Sequence, residues 1–393
     1  MGKYDFDTVI DRRNTASLKW DVQEGELPMW VADMDFMVAP EIQKALKERL
    51  NHPIYAYTYP TKDWYDSYIR FYRDRHHLDI EKDWLVFSLG VVPTISSSVR
   101  KLTNEGDHVV ITTPVYNIFF NSIINNHRIP LEVPLILKDG DYYFDFDALE
   151  KAFAREDVSL FILCNPQNPV SRIWTKEELD KIGRLAKKYH VLVLSDEIHC
   201  ELVRPGMEYV PFISANEVNR EICVMAISVT KSFNLAGIQT SAIVIPNSEL
   251  REKVVRQINT DEVAEPNILS CPAAVSSLNF GREWLDELRN VIFENRKIVE
   301  DYIGAHIPSL CAIKGDATYL VWIDASNLCP DASVFTSFLR KHTGLYVSAG
   351  GVYGKGGEGF FRLNVACPKK TLMDGLERLE KGTQLFLKEE KGI

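Results

Sequence analysis

Residues 222–231 have the sequence ICVMAISVTK, in which an apolar run of strand length ends close to a lysine, Lys231. A continuous apolar run of this length is typical of a buried strand. An ammonium group at the end of such a strand is unfavourable to desolvate. We therefore expect that Lys231 either extends to solvent or does not carry a plain ammonium.

Similar short apolar runs occur on both sides of this segment and alternate with helical patterns. The other strand-like runs are 84–90, 108–114, 158–166, 191–197 and 241–246. Residues 175–190 have helical periodicity, with Thr175 as the N-cap and Glu178 placed to complete a capping box. Apolar strands with helices between them predict an α/β fold with a mostly parallel sheet.

The pattern changes after about residue 282, where a long amphipathic helix begins. A strand, a further helix and a glycine-rich loop before FFRLNVA follow it, which predicts a smaller α+β domain. We expect an N-terminal arm and part of the small domain in residues 1–48, the large domain in 49–283 and the small domain in 284–393.

Composition and charge narrow the possible partners and location. The formal net charge is −10, which argues against nucleic acid or an anionic membrane surface as the partner. The polar N-terminus lacks a signal-peptide core, and no apolar run approaches the ~20 residues of a membrane span. The seven scattered cysteines predict buried, reduced thiols in a cytoplasmic protein without a metal site. His76 and His77 are expected at a solvated helix end.

Polar residues follow several of the predicted strands, at the edge where open α/β sheets bind ligands. They include an acid, two amides, a hydroxyl, an amine and a helix start that offers backbone N–H groups to a phosphate. These residues are Gly90, Val91, Val92, Asn165, Asn168, Asp196, Ser228 and Lys231. This set suits pyridoxal 5′-phosphate, which needs a lysine, an acid at its ring nitrogen, a donor near its phenolic oxygen and a phosphate cradle.

The chain resembles the fold-type I pyridoxal-phosphate enzymes and, among them, the MalY/PatB-like cystathionine β-lyases, also called C–S lyases. The resemblance covers nearly the whole chain. It rests on WVADMDF (30–36), YAYTY (55–59), GVVP (90–93), PVY (114–116), CNPQNPVSRIW (164–174), SDEIH (195–199), TKSFNLAG (230–237) and FRLNVACP (361–368). It implies a large domain, with a mostly parallel seven-stranded sheet between helices, and a smaller α+β domain.

The resemblance also implies roles for individual residues. Lys231 would bind the cofactor's aldehyde and then act as the base at the substrate Cα. Asp196 would pair with the ring nitrogen, and Tyr116 would stack on the ring. Asn168 would bind the phenolic oxygen and, beside Arg362, the substrate carboxylate, which an arginine can hold through a bidentate pair.

The phosphate would be held by Ser228 and by the backbone at Gly90, Val91 and Val92. Tyr57 is similar to the family tyrosine that reaches the phosphate of the neighbouring subunit, which implies a homodimer. Tyr55 and Tyr59 are alternatives within the same motif. His199 is either a cofactor contact or a packing histidine.

Several residues depart from the family pattern, among them Gln167, Ser171 and Gln239. Gln167 replaces a histidine and is the departure expected to alter the substrate pocket. Ser171 replaces a glycine, so its turn is expected to differ. Gln239 stands where many aminotransferases have a phosphate-binding arginine. Separately, residues 354–359 match G-x-G-x-x-G but precede a strand, so we expect a loop able to close over substrate rather than a dinucleotide site.

The reaction implied by the resemblance is α,β-elimination from an amino-acid substrate that carries sulfur at Cβ. Cystathionine or another S-substituted cysteine would give a thiol, pyruvate and ammonia. An aminotransferase uses the same early chemistry and is the alternative. A regulatory binding protein on the same fold is a further alternative, against which the presence of Lys231, Asp196 and Arg362 argues.

Overall fold

The computed structural model describes residues 2–390. Its helices are α1 (Pro40–Asn51), α2 (Lys62–His76), α3 (Val91–Leu102), α4 (Ile118–Ile124), α5 (Phe146–Phe153), α6 (Lys176–Lys188), α7 (Glu217–Ile222), α8 (Val229–Ser232), α9 (Ser248–Thr260), α10 (Ser270–Phe280), α11 (Arg282–His306), α12 (Ala332–Thr343) and α13 (Lys369–Glu390). Its strands are β1 (Leu27–Pro28), β2 (Leu85–Ser88), β3 (His108–Thr113), β4 (Ile129–Pro134), β5 (Ile136–Lys138), β6 (Asp141–Tyr143), β7 (Val158–Cys164), β8 (Leu192–Asp196), β9 (Cys223–Ile227), β10 (Ser241–Val244), β11 (Cys311–Ala312), β12 (Leu320–Asp324), β13 (Leu345–Tyr346), β14 (Ser348–Ala349) and β15 (Phe360–Asn364).

Within the described residues, the large sheet has seven strands in the order β2-β10-β9-β8-β7-β3-β4. Strand β10 runs antiparallel to both of its neighbours, and the remaining pairs are parallel. The prediction of a mostly parallel sheet between helices is therefore confirmed. Its central strands are buried on both faces, which explains why their sequences are apolar throughout.

The strand register brings the predicted site residues to one edge of this sheet. Cys164 at the end of β7 lies opposite Asp196 at the end of β8, and Asp196 lies opposite Ala226 in β9. The turn that carries Asn168 and the helix that carries Lys231 begin directly after these strands. The carboxyl ends of three parallel strands thus meet at one place.

A second, four-stranded sheet lies in the C-terminal part of the described residues, in the order β11-β12-β15-β14. Near it, the N-terminal arm contributes β1, which pairs with β13 in parallel. The next helix, α1, instead contacts α10 of the large-sheet region. The predicted arm therefore contacts both parts of the chain, while the exact domain boundaries stay a prediction.

The prediction of a solvated helix end is wrong for His76. Its side chain is only 7% exposed, and Nε2 lies 2.5 Å from Oε1 of Glu201. Arg75 donates a 2.6 Å hydrogen bond to the other oxygen of the same carboxylate. Burial raises the pKa of Glu201, but the interactions of this carboxylate with His76 and Arg75 outweigh burial and lower the pKa to about 2. His76, Cys200 and Glu201 lie close enough together to act as metal ligands. Arg75 already pairs with Glu201, so this carboxylate does not need a metal ion to balance its charge.

Six of the seven cysteines are buried, as predicted. The seven cysteines, all within the described residues, form no disulfide, and Cys311 alone among them is exposed. The expectation of a buried thiol is therefore wrong for Cys311, which lies in the short strand β11. Among the described helices, none is both long and apolar enough to cross a membrane.

Candidate active site

Lys231 does not extend to solvent. It follows β9 in the short helix α8, whose N-cap is Ser228. Its Nζ donates a 2.5 Å hydrogen bond to the carbonyl oxygen of Ala32 and makes no ion pair with a described residue. Burial and the positive charge of Arg362 lower the pKa of Lys231 to about 8, so the neutral amine is accessible near neutral pH.

Asp196 is a buried acid without a cation in direct contact among the described residues. It is 4% exposed, and its Oδ1 accepts a 3.1 Å hydrogen bond from the backbone N–H of Ile198. Burial raises the pKa of Asp196 to about 7, against a smaller opposing effect of Lys231. A positive group beside this carboxyl would hold it ionised.

His199 lies one turn beyond Asp196 and is 3% exposed. Burial, assisted by the charges of Lys231 and Arg362, lowers the pKa of His199 to about 3, so the ring is neutral at physiological pH. Its Nδ1 has no hydrogen-bond partner. Sequence left two roles open for this histidine, and the choice between a cofactor contact and packing stays a prediction.

Arg362, from the small sheet, lies at the same site as Lys231. Its guanidinium donates 3.0 Å hydrogen bonds to Oδ1 of Asn168 and to the carbonyl oxygen of Trp30. It stacks 4.9 Å from the ring centre of Tyr353 and is 5% exposed. No described carboxylate pairs with it. A buried guanidinium held by neutral acceptors is ready to bind a carboxylate from a ligand.

The start of α3 offers unpaired backbone donors at the same sheet edge. Gly90 is its N-cap, and no side chain caps the helix. The first N–H groups of a helix have no partner within the helix, and they form a ready anion site. Ser228, by contrast, already donates a 2.6 Å hydrogen bond to the carbonyl oxygen of Thr240. Its hydroxyl would have to rotate in order to donate to a phosphate.

A cavity of about 550 Å³ contains several of these groups. Lys231, Tyr116 and Arg362 all line it. Tyr116 is largely buried, which raises its pKa to about 12, so its hydroxyl stays protonated. Tyr57 does not line the cavity and is 99% exposed.

Trp30 and Tyr346 form an aromatic wall of this cavity that was not predicted from the sequence. Trp30 stacks on Tyr346 with ring centres 4.8 Å apart. Arg340 lies 3.8 Å above the ring of Tyr346 and forms an ion pair with Glu26 through 2.7 and 2.9 Å hydrogen bonds. Trp30 belongs to the WVADMDF motif and could have been predicted from it. Tyr346 belongs to no such motif, and it reaches the wall only through tertiary packing.

The departures from the family pattern have local explanations. Gln167 is fully buried and does not line the cavity, and its Nε2 donates to the carbonyl oxygens of Thr112 and Pro114 at 3.0 and 2.9 Å. Its visible role is to hold the end of β3. Ser171 adopts a φ of 61°, the conformation that glycine favours, and its hydroxyl donates to the carbonyl oxygen of Leu320. Gln239 also has a positive φ, of 58°.

The glycine-rich loop is fixed at its start. Gly354 has a φ of 89°, and a Cβ there would lie 2.6 Å from Oε2 of Glu132. The backbone N–H of Lys355 donates a 2.8 Å hydrogen bond to the same carboxylate. The loop leads into β15, as predicted, and not into a helix. Its closure over substrate stays a prediction.

The chain is similar to characterised proteins over nearly its whole length. The profile of the aminotransferase class I and II family matches residues 27–379. Cystathionine beta-lyase PatB of Bacillus subtilis is 39% identical, over 95% of this chain and 98% of its own length. Protein MalY of Escherichia coli is 30% identical, over 96% and 98%.

Among solved structures, the PLP-bound C–S lyase from Staphylococcus hominis superposes with a TM-score of 0.91 at 30% identity, over 97% of this chain and 99% of that one. The sheet order and the converging strand ends described above therefore agree with a fold already seen around that cofactor. The chain belongs to the aminotransferase class I and II family and, within it, to the group that contains PatB and MalY.

Proposed function

We propose that this protein is a pyridoxal-phosphate-dependent C–S β-lyase that cleaves cystathionine or other S-substituted cysteines to a thiol, pyruvate and ammonia. The observation that carries the proposal is the meeting of the partly buried Lys231 with the buried Asp196 and Arg362, none of which has an ionic partner among the described residues. Relatives named cystathionine beta-lyase or C–S lyase support the choice of reaction.

The residues present fit the cofactor. Asp196 needs a cation beside it to stay ionised, and a protonated ring nitrogen is one. The uncapped start of α3 offers free N–H donors, and a phosphate is an anion that can accept from them. Lys231 has a lowered pKa, which suits an amine that binds an aldehyde. When bound, the cofactor supplies an electron sink for the carbon that loses a proton.

Lys231 is the base that removes the substrate Cα proton. A pKa of about 8 leaves a useful fraction of neutral amine near neutral pH. The hydrogen bond to the Ala32 carbonyl fixes Nζ at the cavity. When the cofactor is bound, Asp196 would keep its ring nitrogen protonated, and Tyr116 would cover a face of its ring. Together they would hold the reacting carbon in position relative to Nζ.

Arg362 and Asn168 orient the substrate. The guanidinium would bind the α-carboxylate. The Asn168 side chain, whose Oδ1 accepts a hydrogen bond from Arg362, would offer its amide N–H groups to the cofactor's phenolic oxygen. His199 contributes its unpartnered Nδ1 to the same region. The backbone at Gly90, Val91 and Val92 would hold the phosphate, and Ser228 would join them if its hydroxyl rotated away from the carbonyl oxygen of Thr240.

We also propose that the active unit is a homodimer. Segment 54–59 exposes Ile54, Tyr55, Tyr57 and Tyr59 by 62, 61, 99 and 73%. Four large apolar side chains in six residues form a patch that a partner is needed to cover. Since Tyr57 does not reach its own cavity, we assign it to the phosphate of the neighbouring subunit.

We propose a cytoplasmic location because the cysteines are free thiols. They form no disulfide within the described residues, and six of the seven are buried as free thiols. Free thiols are the usual state in a reducing compartment.

The proposal is tested by mixing purified, cofactor-loaded protein with L-cystathionine. Pyruvate and homocysteine in equal amounts are expected. The same assay with S-alkyl cysteines measures which leaving thiol is preferred. Absence of pyruvate from both, with amino transfer to 2-oxoglutarate instead, would establish the aminotransferase alternative.

A further inference from the structure

Arg340 is a second arginine of the cavity, besides Arg362. It lies in the last turn of α12, and its side chain is 37% exposed. Helix α12 also presents Thr336 and Ser337 to the cavity, so this helix contributes a polar part of the lining. The function proposed above assigns Arg362 to the substrate α-carboxylate and leaves Arg340 without a role.

The charged residues that line the cavity all have the same sign. They are Lys231, Arg340 and Arg362, and no described aspartate or glutamate is among the lining residues. Such a lining favours ligands with negative charge. Lys231 serves the cofactor and Arg362 the α-carboxylate, so Arg340 is the cation that remains for a further anionic group of the ligand.

Contacts within the aromatic wall fix Arg340 relative to Arg362. Nη2 of Arg362 donates a 3.0 Å hydrogen bond to the carbonyl oxygen of Trp30. The ring of Trp30 stacks on the ring of Tyr346, and the guanidinium of Arg340 lies 3.8 Å from the centre of that second ring. The two guanidinium groups are therefore connected through one pair of residues and lie along one wall.

The guanidinium of Arg340 is occupied by a carboxylate along one edge. Its Nε and Nη2 donate hydrogen bonds of 2.7 and 2.9 Å to the two oxygens of Glu26. Glu26 does not line the cavity, and the hydrogen bonds from Arg340 lower its pKa, so it is an ionised partner outside the lining. The Tyr346 hydroxyl is a further neighbour of the guanidinium, but a phenol provides no counter-charge.

A guanidinium has five N–H groups, and Glu26 uses two of them. Nη1 of Arg340 makes no hydrogen bond with a described residue. The edge between Nη1 and Nη2 therefore keeps two parallel N–H groups, which is the geometry that binds a carboxylate.

We propose that Arg340 is a specificity-determining residue that binds a second carboxylate, at the end of the sulfur substituent of the substrate. The proposal rests on the function proposed above, because it takes the substrate to be an S-substituted cysteine. Arg362 then binds the α-carboxylate and Arg340 the distal carboxylate, so the substrate is held at both ends. Because Glu26 shares the charge of Arg340, we expect a selectivity of about tenfold, the lower end for a charge-assisted hydrogen bond.

The test uses S-(3-carboxypropyl)-L-cysteine and S-butyl-L-cysteine, which differ only in a terminal carboxylate or methyl group. The ratio of their kcat/KM values, carboxypropyl over butyl, should be about tenfold lower in Arg340→Gln than in the wild type, mainly through the KM of the carboxypropyl compound. Lys341→Gln removes the same charge at the next, exposed position of α12 and should keep the wild-type ratio. Equal ratios in Arg340→Gln and the wild type would overturn the proposal.

Glu26→Gln separates binding by Arg340 from a structural role of the ion pair. This variant breaks the same ion pair but keeps the guanidinium, whose charge is then uncompensated. The ratio should therefore be at least as high as in the wild type. A fall as large as in Arg340→Gln would contradict the proposal, because it would show that the ion pair sets the preference.

A binding measurement separates the role of Arg340 from the reaction itself. Cofactor-loaded Lys231→Ala protein should turn over neither compound, so titration gives their Kd values whichever reaction the native protein catalyses. The ratio of these Kd values should change about tenfold when Arg340→Gln is added. Such a change, in a protein whose wild type forms no pyruvate, would support Arg340 and refute the lyase. An unchanged ratio, with pyruvate formed by the wild type, would refute the role of Arg340 alone.

Discussion

Arg362 and Asn168 are 194 positions apart in the chain, yet the guanidinium of Arg362 donates a 3.0 Å hydrogen bond to Oδ1 of Asn168. Arg362 lies in the small sheet, in β15, and Asn168 lies in the turn after β7 of the large sheet. Their contact therefore joins the two parts of the chain at the cavity. It also orients both side chains that we assign to the substrate carboxylate and the cofactor oxygen.

Arg362→Lys is expected to weaken substrate binding. A lysine cannot hold a carboxylate through two parallel hydrogen bonds while keeping Asn168 in place. We expect kcat/KM for cystathionine to fall by about 10- to 100-fold, the effect of losing one charge-assisted hydrogen bond, with most of the change in KM. Steady-state kinetics would measure this, and Arg184→Lys, on the exposed surface of α6, is the matched control. An unchanged KM would remove Arg362 from the carboxylate site.

Lys231→Ala is expected to abolish turnover and the absorption band of the lysine-bound cofactor. No other described lysine lines the cavity, so no amine can replace it. The absorption spectrum and a pyruvate assay measure the two effects separately. Lys44→Ala, at a lysine whose side chain is 77% exposed, should change neither. Wild-type turnover in the Lys231 variant would refute the catalytic assignment.

Local sequence was enough to predict much of the sheet and its edge. The capping box of Thr175 and Glu178 is present, with the Glu178 backbone N–H donating to Thr175 Oγ1 at 3.2 Å and the Thr175 N–H donating to Glu178 Oε2 at 2.9 Å. The strand from Val158 and the strand that ends at Asp196 are also present. Such features depend on a few consecutive residues, so periodicity and capping chemistry suffice to find them.

Contacts between distant segments were not predictable in the same way. The acceptor of Lys231, the carbonyl oxygen of Ala32, lies 199 positions away. The partner of His76, the carboxylate of Glu201, lies 125 positions away. Periodicity carries no information about which distant carbonyl or carboxylate will meet a side chain. Family resemblance identified Arg362 at the site, but only the fold shows that Asn168 and Trp30 hold it.

The assignment of Tyr57 to the neighbouring subunit predicts a specific complementation. A hybrid dimer of one Tyr57→Ala chain and one Lys231→Ala chain has one site in which both residues are native, if each site takes Tyr57 from its partner. The purified hybrid should therefore have about half of the wild-type activity, because one of its two sites is intact. Differently tagged chains allow its purification.

The control for this experiment is a hybrid of a wild-type chain with a chain that carries both substitutions. Under the partner assignment, this hybrid has no site with both residues native and should be no more active than the Tyr57→Ala parent. If Tyr57 instead serves its own chain, the two hybrids exchange behaviours. Equal activity of the two hybrids would show that Tyr57 does not contribute to the site.

Glu201→Gln is expected to destabilise the fold by about 3 kcal/mol at neutral pH, because it removes the buried carboxylate that pairs with Arg75 and bonds to His76. The folded-state pKa of Glu201, about 2, is below the ordinary value of 4.5, so its stabilising contribution is present above pH 4.5 and is lost as the pH falls towards 2. Thermal unfolding midpoints of both proteins should therefore differ most near neutral pH and converge in acid. Glu249→Gln, at an exposed position of α9, is the control. A Glu201 variant with a wild-type midpoint at pH 7 would show that the buried cluster contributes nothing to stability.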